Sequence, residues 1–503
     1  MPLQPASGSS SEIASSGPAA GETGTRSRDL PPHLYKTWLD DLIDLLHSAA
    51  GIEHELMVQY LYAAYSLGGD QVPKTDVAEA LVREWRRNLL AIAKEEMGHF
   101  LTVQNILTVL GGSVLWTRGN HPWDDQYFPL REHEFTRFDP GSLYCYIYAE
   151  APPYTASVVK EHYQIDRKEV QDIIDEATRQ VADKVPHRVQ QLYAEIVRIV
   201  KNPNLIPDSA FHPETYSVQA SWEEWGKGYK PYILFSENSE AKDTPPMLEL
   251  RSPASAWIAP TARQAAVIVQ QVATRTEVLE ALQLIGEQGE AATFNPDPNQ
   301  PSHFERFIGI YQRFKDIVGK WDPARQVANS PTTDSPKTGA QRPNTTYIES
   351  AHSRNWAHLF NLRYRMLLTY LSHMYRLPPA TDVTQPQMRA GTLHRVFSEM
   401  YNLRAIANIL VRLPMTDEPG DSTRAGPPFE LPYTLELPVA EDDCWRLHRD
   451  LLLNSEEICK HLLVPKASAD ETQYLAALRS LDRQSIAWID AVLRGGAARR
   501  SLS

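Results

Sequence analysis

The chain has 503 residues, a formal net charge of −13 and three cysteines, Cys145, Cys444 and Cys459. That length exceeds what one compact core usually organises, and the acidic balance with no basic run argues against a nucleic-acid protein. The cysteines form no C-x-x-C pair, so neither a disulfide framework nor a thiolate metal site is indicated.

Residues 1 to 30 are rich in Ser, Gly, Ala and Pro and cannot repay the entropy of ordering, so they read as a disordered tail. They show neither the charged nor the apolar region of a secretory signal, and no apolar run reaches the roughly 20 residues of a membrane helix. The expectation is a cytoplasmic protein with no membrane segment.

From Leu34 to Leu67 apolar residues recur at helical spacing until GGD stops them, and a second helix is expected from Asp76 to Leu110, ending at Gly111-Gly112. Two long helices joined by a short Gly/Pro loop fold back as an antiparallel hairpin. The following 75 residues are irregular and aromatic, with one charged helix near 165–184, and read as a long crossover. Helix resumes over VPHRVQQLYAEIVRIVKN, a short strand pair is expected in PYILF and MLELRS, and helices at 261–291 and 302–318 complete a four-helix bundle. A Pro/Ser/Thr-rich link, 321–350, precedes four helical stretches at about 352–376, 386–412, 438–463 and 470–494. The division is thus 31–320, 321–350 and 351–496, in an all-α protein.

The informative feature is EEMGH. On the second helix Trp85, Leu89, Ile92, Glu96, His99, Val103, Ile106 and Leu110 form one stripe, with Glu96 and His99 its only ionisable members. Glu95 counts as pointing away. The first helix carries the stripe Leu42, Leu45, Ala49, Glu53, Met57, Tyr60, Ala64 and Leu67, again with one carboxylate in its middle. Burying a bare carboxylate costs several kcal/mol unless it is protonated, paired or bound to metal, so a cation is the economical partner for Glu53, Glu96 and His99 together. His303 heads the apolar stripe of the last bundle helix, and Glu290, with Glu287 ranked below it, ends the helix before.

One Glu on each of two helices and a Glu-x-x-His on each of two more is the arrangement of di-iron and di-manganese carboxylate bundles. Here the last such motif reads Gln300-Pro301-Ser302-His303, with glutamine in the glutamate's place. Ordinary explanations stand beside these. Glu53 can pair with Arg83 or Arg87, His303 can bond backbone at a helix start, Glu287 and Glu290 can be solvated, and Tyr60 can be simple core. Trp116, Trp123, Tyr127, Phe128, Tyr144, Tyr146 and Tyr148 either line a pocket for a flat substrate or pack the crossover, while His121, His358 and His373 read as structural.

The stretches IEHELMVQYLYAAYSL, IAKEEMGHFLTVQNILTVLGG, AEAPP, VQQLYAEI, LIGEQGEA and SHFERFIGIYQ resemble, in order, the ferritin-like domain of the iminophenyl-pyruvate dimer synthase family, over residues 35–318. The resemblance implies metal at Glu53, Glu96, His99, Glu290 and His303, with Gln300 and Tyr60 beside it. ELMVQYL, QGEA and Gln300 depart from the family's usual pattern. It further implies iron, as one or two ions, with manganese as the alternative. The expected activity is O₂-dependent oxidation of a small aromatic or amino-acid-derived natural-product intermediate, such as the oxidative coupling of an imine; a homodimer is compatible with it. The alternative is a non-catalytic binding or scaffold protein whose metal site has partly decayed through Gln300.

Overall fold

The computed structural model describes residues 36–119, 134–152, 167–181, 188–222, 224–225, 269–290, 301–378, 388–432, 435–463 and 467–500. Two long helices, α1 (Trp38–Ser66) and α2 (Asp76–Val109), form the expected hairpin. Thr37 and Thr75 cap their N-termini, each side-chain oxygen accepting a backbone N–H of the first turn. The turn between them needs Gly68 and Gly69, whose φ values of 93° and 123° a side chain would strain.

Helix α3 (Pro140–Ala149) lies inside the stretch expected to be irregular. The reason is local: Asp139 and Ser142 form a capping box, and Pro140 sits at the first helical position, where its missing N–H costs nothing. Helices α4 (Arg167–Val181) and α5 (Val189–Val200) follow, α4 against α3 and α5 against α1.

Helix α6 (Arg275–Glu290) is shorter than the 261–291 expected from periodicity. Residues 269–274 are extended because other groups claim their backbone: Gln219 brackets Val272 through both its amide atoms, and Asn105 donates to the Gln270 carbonyl. A helix there would forfeit those bonds. Residues 261–268 and the expected strand pair lie outside the described residues.

Helix α7 (His303–Lys315) starts on a Ser302–Glu305 capping box and packs on α2, α3 and α6. Beyond it, residues 321–350 do more than link. Ala324, Val327, Ala328 and Ile348 are buried, and β1 (Pro331–Thr332) pairs in parallel with β2 (Thr346–Tyr347).

Four further helices follow: α8 (Ala351–Met374), α9 (Met388–Leu410), α10 (Glu441–Leu462) and α11 (Ala469–Arg500). At their centre the fully buried Arg363 of α8 pairs with Glu399 of α9 and Asp482 of α11, and bonds Ser455 of α10. These helices pack directly on the hairpin: the Tyr364 hydroxyl meets His54 at 2.5 Å, and the Tyr375 hydroxyl donates to Asn105 at 2.9 Å. No helix among the described residues is long and apolar enough to cross a membrane.

Candidate metal centre

On the inner side of the hairpin Glu53, Glu96 and His99 converge, all within 2 % of full burial. Glu53 and Glu96 face His99 Nδ1 at 3.4 and 2.8 Å. The Arg83 and Arg87 alternatives for Glu53 do not arise, since Arg83 pairs with Glu79 and the Tyr193 hydroxyl of α5 donates to Glu53. Across the bundle His303, fully buried at the start of α7, sets its Nδ1 2.8 Å from the other oxygen of Glu96 and 3.7 Å from Glu150.

Two groups able to hold a cation result, Glu53–Glu96–His99 and Glu96–Glu150–His303, and Glu96 belongs to both. Within each group the ligand atoms lie within 4.8 Å of one another. The two imidazole rings stack roughly parallel with centroids 5.5 Å apart.

The outer nitrogens of both rings are engaged. His99 Nε2 meets Gln288 Oε1 at 2.9 Å, and His303 Nε2 meets a Glu95 oxygen at 2.9 Å. The Glu95 carboxylate can only accept, which keeps a proton on His303 Nε2 and, in the neutral ring, turns the Nδ1 lone pair inward, the usual preparation of a metal-binding histidine; Gln288 orients the His99 ring. Glu95, counted as pointing away, is therefore buried against the cluster: α7 covers that side of α2, and Arg306 binds the same carboxylate.

Charge in the cluster is unbalanced. Burial lifts the Glu53 carboxyl to about 7 despite the His99 hydrogen bond. Burial would lower His99, but hydrogen bonds to Glu53 and Glu96 outweigh it and carry the ring up to about 10. Burial likewise opposes ionisation of Glu95, yet the charge of Arg306 and the His303 bond hold it at about 2. Protons thus do at Glu53 and His99 what a cation would do better.

The donor set fits metal on a further observation. Glu96 Oε1 and His303 Nδ1 are buried and 2.8 Å apart, yet neither makes an aligned hydrogen bond. A buried carboxylate oxygen and imidazole nitrogen that converge in this way suit a cation between them. Carboxylate oxygens with imidazole nitrogens suit iron or manganese.

Other expected residues are placed as follows. Tyr60 is buried and donates to Glu150 Oε1 at 2.6 Å. Glu287 accepts from Gln283, one turn earlier on α6, and belongs to neither cation group; among the described residues the further carboxylate of the second group is Glu150. The side chain of Glu290 and all of Gln300 lie outside the described residues, as do Trp123, Tyr127 and Phe128. Glu150 was missed because it caps the C-terminus of α3, a helix not foreseen, although Asp139-Pro140-Gly141-Ser142 carries the start signal.

A third group, His373–Glu441–Cys444, could also hold a cation. Unlike the carboxylates of the other two groups, Glu441 is exposed, and His373 also meets His448 at 2.9 Å.

Comparison with known proteins now adds to the geometry. A family model described as Ferritin-like matches residues 46–223, the span that holds Glu53, Glu96, His99 and Glu150. The protein carries a ferritin-like domain. The chain is also similar to a dichlorochromopyrrolate synthase from Lentzea aerocolonigenes, with 24% identity over 430 residues. That alignment covers 78% of this chain but 36% of the relative, so the chain spans about a third of the synthase's length. No solved structure matches the chain. The resemblance read from the sequence therefore stands as a ferritin-like domain, in a chain similar to a synthase.

Proposed function

We propose that the protein is a metal-dependent oxidative enzyme that uses O₂ on a small, aromatic or amino-acid-derived natural-product intermediate, with coupling of an aryl imine the leading reaction. Glu53, Glu96, His99, Glu150 and His303 would hold the metal, iron before manganese, and Glu96 would be shared between two ions. The observation that carries this reading is Glu96 lying between two inward-turned imidazoles, each Nδ1 2.8 Å from a different oxygen of its carboxylate. The similarity to dichlorochromopyrrolate synthase supports the biosynthetic part of it.

When bound, such ions supply one-electron redox chemistry with O₂ and Lewis acidity. The chain supplies the rest. Tyr60 holds Glu150 by its hydroxyl, and burial keeps that phenol well above its ordinary pKa, so it stays a donor. The Tyr193 hydroxyl donates to Glu53. Gln288 and Glu95 fix the two imidazoles. Tyr60, Tyr146 and Phe307 wall the Glu150 side in mutual ring contact and keep bulk water from the carboxylates.

Metal content tests this. Protein supplemented with Fe(II) or Mn(II) should retain stoichiometric metal and release protons on binding, Glu96→Ala and His99→Ala should lose it, and Glu287→Ala should keep it. Wild-type protein without stoichiometric metal after supplementation would overturn the proposal. O₂ uptake with aryl-imine and aliphatic panels then separates an oxidase from the binding-protein alternative.

A further inference from the structure

Outside the bundle, the end of α8 meets the start of α10. His373 stands in the last turn of α8, Glu441 is the first residue of α10, and Cys444 follows it by one turn. A spacing of three puts Glu441 and Cys444 on one face of their helix, and one ligand atom from each of the three residues lies within 4.8 Å of the other two. His373 and Cys444 are buried, whereas Glu441 is exposed. None of them belongs to either bundle group, and neither bundle group contains a cysteine.

The contacts around the three residues leave the ligand atoms convergent. His448 meets His373 Nδ1 at 2.9 Å, so Nε2 is the nitrogen turned to Glu441, at 3.1 and 3.2 Å from its two oxygens. A carboxylate only accepts, so the proton between them sits on Nε2, where a metal would take its place. The separation is already close to the about 3.3 Å that ordinary bond lengths and a tetrahedral angle set between a nitrogen and an oxygen on zinc. His448, itself buried and stacked on Tyr370 with centroids 4.3 Å apart, holds the ring from the far side, as the orienting partner of a metal histidine does.

The thiol can give up its proton without orphaning its acceptor. Cys444 Sγ donates to the Pro438 carbonyl at 3.2 Å, and Arg376 donates to the same carbonyl at 2.7 Å. A coordinating thiol is deprotonated outright, and the carbonyl would keep Arg376. Thiolate, imidazole and carboxylate together make a softer set than the nitrogen and oxygen donors of the bundle, and that set suits zinc. Three protein ligands leave one tetrahedral position open, and the exposure of Glu441 turns that side of the group to solvent.

We propose that His373, Glu441 and Cys444 form a metal site separate from the bundle centre, taking a borderline-soft divalent ion such as zinc through imidazole Nε2, carboxylate and thiolate. The ion would join the end of α8 to the start of α10. The site is independent of the metal reading of the bundle and would persist in Glu96→Ala protein.

Titration of the full chain with Co(II), a spectroscopic substitute for zinc, tests it. Sulfur bound to Co(II) gives an intense near-ultraviolet charge-transfer band that carboxylate and imidazole ligands do not give, so the band reports this site even where Co(II) also enters the bundle. It should saturate at one sulfur-bound Co(II) per chain, in wild-type and in Glu96→Ala protein alike. Cys444→Ser should abolish the band and Cys459→Ser should keep it. Glu441→Gln, at an exposed position, should keep the band but weaken Co(II) by more than the about tenfold that losing an orienting partner alone costs. The wild-type and Glu441→Gln titrations stand even if Cys444→Ser fails to fold. The proposal is overturned if wild-type protein gives no saturable band, if the band survives Cys444→Ser, or if Glu441→Gln binds Co(II) as tightly as wild type.

Discussion

Consider Glu95→Gln, a change of one atom in a residue that touches none of the proposed ligand atoms of Glu53, Glu96 or Glu150. The native carboxylate accepts from His303 Nε2 at 2.9 Å and binds Arg306, and the Arg306 charge keeps it ionised far below neutral pH. An acceptor that can only accept leaves His303 one tautomer, with the Nδ1 lone pair in the site. A glutamine offers both an oxygen and an NH₂, and the NH₂ can donate to Nε2, which moves the ring proton to Nδ1 and points it at Glu96. Loss of such an orienting partner typically costs 10–100-fold in metal affinity, about 1.4–2.7 kcal/mol. Stability should fall as well, because Arg306 loses its charged partner; breaking a buried pair costs about 3–5 kcal/mol, and Arg306 is partly exposed, so the lower end or less applies. The assay is chelator competition for Mn(II) or Fe(II), beside circular dichroism to establish the fold. Native-like metal affinity in a folded Glu95→Gln protein would refute the claim that Glu95 sets the His303 tautomer.

Two further outcomes follow from the buried charges. Glu53 is raised to about 7 and His99 to about 10, so the folded metal-free protein holds more protons than the unfolded chain from roughly pH 4.5 to 10. Groups raised in this way stabilise at low pH and lose that contribution as pH climbs, so melting of chelator-treated protein should occur at lower temperature at pH 9 than at pH 7, and His99→Gln should flatten the slope. Arg363→Leu leaves Glu399 and Asp482 buried without their cation and should cost about 3–5 kcal/mol in denaturant unfolding, with little effect on metal content at low denaturant.

The Glu53–Glu96–His99 group on the hairpin was legible in the sequence because its residues and their helices are local. A 3.6-residue period fixes which side chains share a face, and a carboxylate or imidazole breaking an apolar stripe is visible at once in Glu53, Glu96 and His99. The same reasoning placed Tyr60 on that face and found His303 at the head of a helix. The helix starts at Asp76, His303 and Ala351 were readable to within one residue for the same reason, since such signals act within a turn.

The Glu96–Glu150–His303 group was decided by tertiary structure. Glu150 stands at the end of a ten-residue helix with weak periodicity, so no count of spacing could aim it at His303 across the bundle. Glu95 fell off its own helix's apolar stripe and became buried only because α7 covers that flank. Residues 269–274 have the composition of a helix but give their backbone to Asn105 and Gln219, partners more than 50 positions away. Local periodicity says which side chains leave one face of one helix. What stands opposite them depends on how distant segments pack, and here that packing set Glu96 between two histidines.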